Sequence, residues 1–526
     1  MALEEIRDER IKKLGKIRET GTDPYPASVK RSHLIGEALA KFSQFLRSKK
    51  KISLVGRLMA KREHGKSTFC DLKDGSGLIQ IYFKEDVLGD NYRLFLDTGD
   101  IGDFISCEGK LFQTKKGEKT LEISAWSLIS KSLLPLPEKW HGLLDVEERF
   151  RKRYLDLLIN QEVRARFETR SEIIKAMRDF FEKNGFLEVE TPMLHPLPGG
   201  ALARPFKTHH NALNTDFYLR IAPELYLKRL LIGGFERVYE MGKSFRNEGI
   251  DVSHNPEFTE PECYAAYWDE DIMMKFVEEM FLHLTKTIFK KNSLEFSAQS
   301  GLARAGTADG SASKKENKKI IFKKPFARIS FRDLLKRYAL ITDYDRETRD
   351  SLATRARQLG IDVEQHESKG KIADEIYKKI CRPYLTQPTF LINHPIDISP
   401  LAKTYRDSIP VTGIKSLLKS NETRRFQLVV AGMELTNGFA ELNDPLEQRK
   451  RFEEQPPRSL SGRSSPTNVG GEGEEVHLMD EDYLEAMEYG MPPAAGLGIG
   501  LDRVVMLFTN TKNIREVVLF PTMKPR

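Results

Sequence analysis

Five short runs of β-forming residues lie within about 75 residues of one another, and turn signals part them. They are Ile52 to Met59, Thr68 to Leu72, Leu78 to Phe83, Phe104 to Leu111 and Leu121 to Ser124. Glu63-His-Gly-Lys66, Lys73-Asp-Gly-Ser-Gly77 and Lys115-Lys-Gly-Glu118 supply turns between them. Strands this short and closely spaced cannot each bury a face alone, and the pattern predicts a small five-stranded barrel of the OB type.

What flanks the barrel sets the rest of the architecture. Residues 1 to about 47 read as helix, with Ile6, Leu14 and Ile17 on one face and Arg7, Arg10, Lys12, Lys13, Lys16 and Arg18 around it. That basic surface is either a solvated face or an RNA contact. Leu133-Leu-Pro-Leu-Pro-Glu-Lys-Trp140 reads as a linker, because two prolines interrupt any periodicity before a helical pattern begins near Arg149. The expected division is 1–135 for helix plus barrel, 136–150 for the linker and 151–526 for a second domain. In that domain helices alternate with β-rich runs such as Phe217 to Ile221, Glu236 to Met241, Gln427 to Ala431 and Gly496 to Gly500. The fold class is therefore α+β, with an antiparallel sheet flanked by helices. Residues 293–319 and 453–475 lack apolar content by composition and are expected to be surface insertions.

Composition narrows the function classes. Lys plus Arg number 84 against 77 Asp plus Glu, an excess of +7 that permits a polyanionic partner without requiring one. Cys70, Cys107, Cys263 and Cys381 form no CxxC pair and no zinc-type spacing, which argues against a disulfide framework or a structural zinc site. The first ten residues mix acids with bases, and no apolar run approaches the roughly 20 residues needed to span a bilayer. A cytoplasmic location is expected.

Gly496-Leu-Gly-Ile-Gly500 before Leu501-Asp502-Arg503 is not a dinucleotide-binding turn, since its spacing is GxGxG and too little chain follows for a βαβ unit. Glycines leading into an arginine instead let backbone and cation approach a flat, charged ligand. Two further segments precede it: Gly185-Phe-Leu-Glu-Val-Glu-Thr-Pro192-Met-Leu and Ser244-Phe-Arg246-Asn-Glu248-Gly-Ile-Asp-Val-Ser-His254-Asn-Pro-Glu-Phe258. In this order the three resemble motifs 1, 2 and 3 of the class II aminoacyl-tRNA synthetases. With the OB-type domain ahead of them, they resemble the subclass of lysine, aspartate and asparagine enzymes.

The resemblance implies a reaction whose needs match these residue types. An amino-acid carboxylate attacks the α-phosphate of ATP in line, so the protein must position and stabilise charge and needs no nucleophile of its own. By the resemblance, Arg246 holds the α-phosphate and the attacking carboxylate, and Arg503 reaches the γ-phosphate. Adenine lies between Phe258 and the Arg503 guanidinium. Glu248 contacts the adenine amino group or the tRNA end, His254 the outer phosphates, and Gly500 belongs to the ATP-binding set. Pro192 and the motif 1 helix imply a homodimer interface.

Arg220-Ile-Ala-Pro-Glu224 resembles the family's loop for the substrate α-amino group, with Glu224 as acceptor. Glu262, Tyr264, Asn437, Phe439 and Glu441 match the side-chain pocket of the lysine enzymes. An ε-ammonium with three donors needs anionic acceptors when it is desolvated, whereas a site for aspartate would need a cation. An aspartate- or asparagine-type ligase, and a catalytically inactive RNA-binding paralogue, remain the alternatives. The family uses Mg²⁺ with ATP, and the resemblance points to Glu434, Gln427 and Glu441 as its ligands, Gln427 standing where the lysine enzymes usually carry a glutamate. In the barrel, Arg62, Phe69 and Gln80 match positions that read the central uridine of the lysine anticodon, and an Arg, an aromatic and an amide suit a single-stranded base. The partners so implied are lysine tRNA, L-lysine and ATP.

Overall fold

Strict alternation of buried and outward residues builds the N-terminal strands β1 (Ile52–His64), β2 (Ser67–Lys73) and β3 (Leu78–Lys84). With β4 (Phe104–Gln113) and β5 (Lys119–Ser130) they close into a barrel of order β1-β2-β3-β5-β4. Closure leaves no strand edge unpaired. Leu54, Leu58, Cys70, Leu72, Ile81 and Ile123 fill its core. The computed structural model describes residues 3–137, 145–201, 203–297, 317–364, 367–405, 421–454, 458–459, 475–476 and 479–525. The chain forms two units, Met1–Asp145 and Val146–Arg526, and residues 138–144 of the expected linker lie outside the described residues.

The expected single N-terminal helix is three: Leu3–Glu19, Ile35–Ala40 and Phe42–Ser48. Gly21 at φ 75° turns the chain out of the first helix, and Pro24 and Pro26 keep it from resuming. The basic face of that helix is not simply solvated either. Arg10 is buried and donates to the carbonyls of Ser132 and Leu134, and Lys13 reaches Asp100 at 2.7 Å.

In the second unit the short strands β6 (Leu187–Glu188), β7 (Leu194–His195), β8 (Phe206–His210) and β9 (Thr215–Leu219) precede the long hairpin of β10 (Arg237–Phe245) and β11 (Glu257–Ala266). Then come β12 (Ser293–Ser297), β13 (Asn317–Ile321), β14 (Ala327–Ser330), β15 (Thr389–Ile392), β16 (Arg425–Val430) and β17 (Met433–Ala440). The last are β18 (Arg458–Ser459), β19 (Glu475–Val476) and β20 (Ala494–Ile499). Eight of them form one sheet, ordered β14-β15-β16-β17-β20-β11-β10-β6. Its pairs are antiparallel except β14 with β15 and β10 with β6.

The period of two divides this sheet by chemistry. Cys263, Ala265, Leu428, Leu497 and Ile499 pack against the helices Gln161–Lys183 and Glu270–Phe289 through Met177, Phe181, Met273, Val277 and Phe281. Their neighbours Glu262, Tyr264, Gln427, Gly496 and Gly498 alternate with them along the same strands. That second face carries the polar groups.

The expected insertion at 293–319 is in part core. Leu294 pairs with Ile320, and both, with Phe296, are buried in the main cluster. The Ser, Gly and Lys content averaged over the segment hid two short alternating runs at its ends. Residues 298–316 lie outside the described residues. In the second segment Glu453 ends a helix, β18 pairs with β19, and the remainder again lies outside. Among the described residues no helix is long and apolar enough to cross a membrane.

Buried ion pairs fasten both units. Arg153, fully buried, binds Asp156 at 2.6 Å and the carbonyl of Arg515 at 2.7 Å. In the barrel unit the Lys131 ammonium lies 2.6 Å from Asp100 and 2.7 Å from Asp103, with Lys131 and Asp103 shielded from solvent. Burial pushes the Asp103 carboxyl above its usual range even with Lys131 beside it. Lys131→Met should destabilise the barrel unit by about 3 kcal/mol at pH 7, because a buried carboxylate loses its partner. The loss should shrink as pH falls and Asp103 takes a proton, and urea denaturation followed at two pH values measures both.

Candidate active site

The β10–β11 hairpin pairs Ser244 with Phe258, so β11 brings Phe258, and the connecting loop Arg246, Glu248 and His254, to one cleft. Glu434 and Asn437 come from β17, and Gly500 and Arg503 from the end of β20 and the helix Leu501–Phe508. All eight line this cleft, about 830 Å³ counted out to open solvent. Arg503 donates through Nη1 to the Glu434 carbonyl at 3.2 Å and through Nη2 to His254 Nε2 at 3.1 Å. Arginine is only a donor, so His254 Nε2 accepts and its proton sits on Nδ1, which donates to Asp251 at 2.8 Å. The Arg246 guanidinium lies over the Phe258 ring at 4.8 Å. The sequence expectation set Phe258 opposite Arg503 across adenine, and the structure adds Arg246 over one face of that ring.

A smaller pocket of about 420 Å³ adjoins the cleft and is lined by Glu224, Glu262, Tyr264, Asn437 and Phe439 among others. Arg246, Glu260, Asn437 and Gly498 line both cavities, so a ligand in one meets a ligand in the other at Arg246. Along β20, Gly500, Gly498 and Gly496 step from the cleft into this pocket. A side chain at Gly496 would collide with Glu441 Oε1 and the Tyr264 ring, so only hydrogen leaves the pocket open.

Buried acids dominate this pocket. Glu262 is 4% exposed and accepts from the Tyr264 hydroxyl at 2.8 Å. Burial, reinforced by Glu260 and Glu224, holds its pKa well above the carboxylate range, and burial raises the Tyr264 hydroxyl likewise. Glu441 is 1% exposed, pushed by burial up to about 8 against the pull of Lys228. Both its carboxylate oxygens lack a hydrogen bond of good geometry, although Oε2 lies 2.5 Å from Lys228 Nζ.

These positions correct one expectation. Glu441 comes seven residues after Glu434, just past the end of β17, roughly 23 Å of extended chain away, and cannot share an ion with it. Its Oε1 lies instead beside Gly496, which lines the smaller pocket. Gln427 stands opposite Asn437 on β16, buried, with Oε1 lacking a hydrogen bond of good geometry and the His394 ring as its neighbour. Glu434 and Gln427 thus offer one carboxylate and one amide oxygen on adjacent strands, a donor set suited to a hard cation that also binds phosphate. Among the described residues no group of three His, Cys, Asp or Glu side chains is placed to hold a metal.

Several residues of the site were not singled out in the sequence. Glu260 lies 3.6 Å from Arg246 at the junction of the two cavities. Burial raises its pKa, opposed by Arg246 and Arg503. Lys228 is buried between Glu224 and Glu441. Asp502 receives Arg170 from the helix Gln161–Lys183 at 2.5 Å and the Thr259 amide at 3.2 Å. Arg220 is buried on Glu240, whose Oε2 accepts from Thr191, and so ties the later part of motif 1 to β10. Period two along β11 does point from Glu262 to Glu260, but nothing local marks Lys228 or Arg170.

On the barrel, Phe69 is not core. Its neighbours Thr68 and Cys70 are buried, while Phe69 faces outward, stacked on Tyr82 with centroids 4.5 Å apart, and Phe112 lies beyond at 5.9 Å from Tyr82. Arg62 pairs across from Phe69 and is held by Asp71 at 2.6 Å; Gln80 accepts from Thr120. The result is an aromatic ledge with a guanidinium and an amide beside it.

The family profile described as tRNA synthetases class II (D, K and N) matches residues 145–524, and that of the OB-fold nucleic acid binding domain matches 52–129. Fold and cleft together are those of a class II tRNA synthetase. The lysine–tRNA ligase of Carboxydothermus hydrogenoformans is 45% identical over 528 residues, covering 100% of this chain and 99% of that protein. Those of Dehalococcoides mccartyi strain BAV1, at 45%, and Roseiflexus sp. strain RS-1, at 44%, also cover 100% of this chain, and 99% and 100% of their own lengths. The chain belongs to the lysine–tRNA ligase family.

Proposed function

We propose that this chain joins L-lysine to ATP, forming lysyl-adenylate and pyrophosphate, and then transfers the lysyl group to the 3′ end of lysine tRNA with release of AMP. One observation carries the choice of amino acid: Glu262 and Glu441 place two buried carboxyl groups at the pocket. Lys228 meets only one oxygen of Glu441, and Glu262 has the Tyr264 hydroxyl but no ion pair, so a buried acid there is costly unless a cation arrives, and an ε-ammonium supplies one. Among the described residues of this pocket the cations are Arg246, which serves the substrate carboxylate on this reading, and Lys228, which already binds two carboxylates, so the aspartate reading finds none for its side chain.

Arg246, at the junction of the cavities, holds the lysine carboxylate against the α-phosphate. Its oxygen attacks phosphorus in line while the bond to the β-phosphate bridge breaks. Arg503 and His254 take the outer phosphates, Phe258 offers a ring face to adenine, and Glu248 lies at the mouth of the cleft. Glu434 and the Gln427 amide would hold Mg²⁺, which supplies positive charge to the phosphates when bound. The ledge of Phe69 with Arg62 and Gln80 stacks and reads an anticodon base. Around Pro192 the side chains of Leu187, Met193, Leu194 and Leu197 are exposed, an apolar strip that suits a second copy of the chain. The enzyme works in the cytoplasm on this reading.

Pyrophosphate exchange run with each of the twenty amino acids should respond to lysine, and a response to aspartate alone would overturn the assignment. Replacing Arg62, Phe69 and Gln80 with Ala should lower tRNA charging while leaving exchange nearly intact, as stacking alone is worth about 1 to 3 kcal/mol. An equal fall in both would remove the barrel from anticodon reading. Gln427→Glu should lower the free Mg²⁺ needed for half-maximal exchange at saturating lysine, because a carboxylate replaces a neutral ligand. An unchanged requirement would exclude position 427 from the metal site. Finally, Met193→Glu with Leu194→Glu should turn dimers into monomers in sedimentation, and monomers in the unmodified chain would end the dimer proposal.

A further inference from the structure

Lys228 lies one helical turn after Glu224 on the helix Glu224–Ile232, with a side chain that no solvent reaches. Its Nζ donates to Glu224 Oε1 at 2.6 Å and stands 2.5 Å from Glu441 Oε2, while the Phe439 ring covers it at 5.4 Å. Glu224 belongs to that helix, whereas Glu441 follows β17. One ammonium therefore ties two carboxylates from separate elements, and the oxygens it touches are at most about 5 Å apart. The other oxygen of Glu441, Oε1, is buried without a partner beside Tyr264 and Gly496. Burial works against the charge on Lys228, but the two carboxylates outweigh it and raise its pKa.

We infer that Lys228 is a positioning residue that sets the length of side chain this pocket accepts, by fixing the acceptor of the α-ammonium, Glu224, relative to the acceptor of the ε-ammonium, Glu441. The inference rests on the reading of this pocket as the lysine site. Without the bridging ammonium, two buried carboxylates repel, and either they separate or one takes a proton. The span between them is then no longer defined. With it, a substrate one methylene too short leaves Glu441 Oε1 unpaired in a dry site, a penalty larger than the lost methylene itself.

The test uses Lys228→Met and Lys228→Arg in the full chain, with thermal melting, exchange kinetics in lysine and in ornithine, and KM for ATP. In the Met variant KM for lysine should rise about tenfold or more with KM for ATP within about twofold, and the lysine-over-ornithine ratio of kcat/KM should fall about fivefold. Arginine keeps the charge in a differently shaped fork, so its ratio should lie between those of the Met variant and the unmodified chain. A parallel rise in both KM values, or an unchanged ratio in folded variants, overturns the inference. Failure of both variants to melt cooperatively does so too, by assigning Lys228 to the fold. Absence of lysine-dependent exchange in the unmodified chain is a separate result and defeats the functional reading instead.

Discussion

Asp502 ties the motif 2 and motif 3 segments to the long helix that precedes motif 1. One of its oxygens takes Arg170 of the long helix before motif 1, the other takes the Thr259 amide of the motif 2 strand, and Arg503 is the next residue in the chain. The carboxylate is 3% exposed, so these charge-assisted bonds act where water competes little. With the backbone pinned there, the Arg503 side chain reaches both the Glu434 carbonyl and His254. Catalysis by positioning depends on such advance placement, because donors that must reorganise on binding return part of what they contribute.

The sheet converts this fixed point into two adjoining cavities. Strand register puts Glu262, Gly498, Asn437 and Gln427 in one row across β11, β20, β17 and β16. Because alternate residues face opposite ways, the same strands bury Cys263, Leu497 and Leu428 against the helices. The apolar side fixes where the polar side lies, and glycines at 496, 498 and 500 empty the middle strand of side chains. The two cavities then share one floor.

The barrel, the antiparallel sheet and the motif hairpin were legible because each rests on local periodicity or on a contiguous segment. The outward direction of Phe69 also follows from period two once Thr68 and Cys70 are seen to be buried. Contacts between distant segments were not legible. Arg10, Arg170 and Lys228 look like ordinary charged residues until a partner far along the chain, at Ser132, Asp502 or Glu441, shows what they bind. Alignment by motif put Glu441 near the metal, but strand geometry separates it from Glu434. The helix break at Gly21 and the buried ends of the 293–319 segment were lost by averaging over windows longer than the signal.

Both expected insertions leave and return through paired strands, Ser293–Ser297 with Asn317–Ile321 and Arg458–Ser459 with Glu475–Val476. Paired strands hold their ends about 5 Å apart whatever lies between. The entropy of closing such a loop grows only with the logarithm of its length, so doubling it costs roughly 0.6 kcal/mol. Each pair is therefore a clamp that isolates the catalytic fold from the size of what it carries. Evolution can lengthen or trim those stretches nearly freely, and an experimenter can graft a foreign peptide at either place with little thermodynamic penalty to the enzyme.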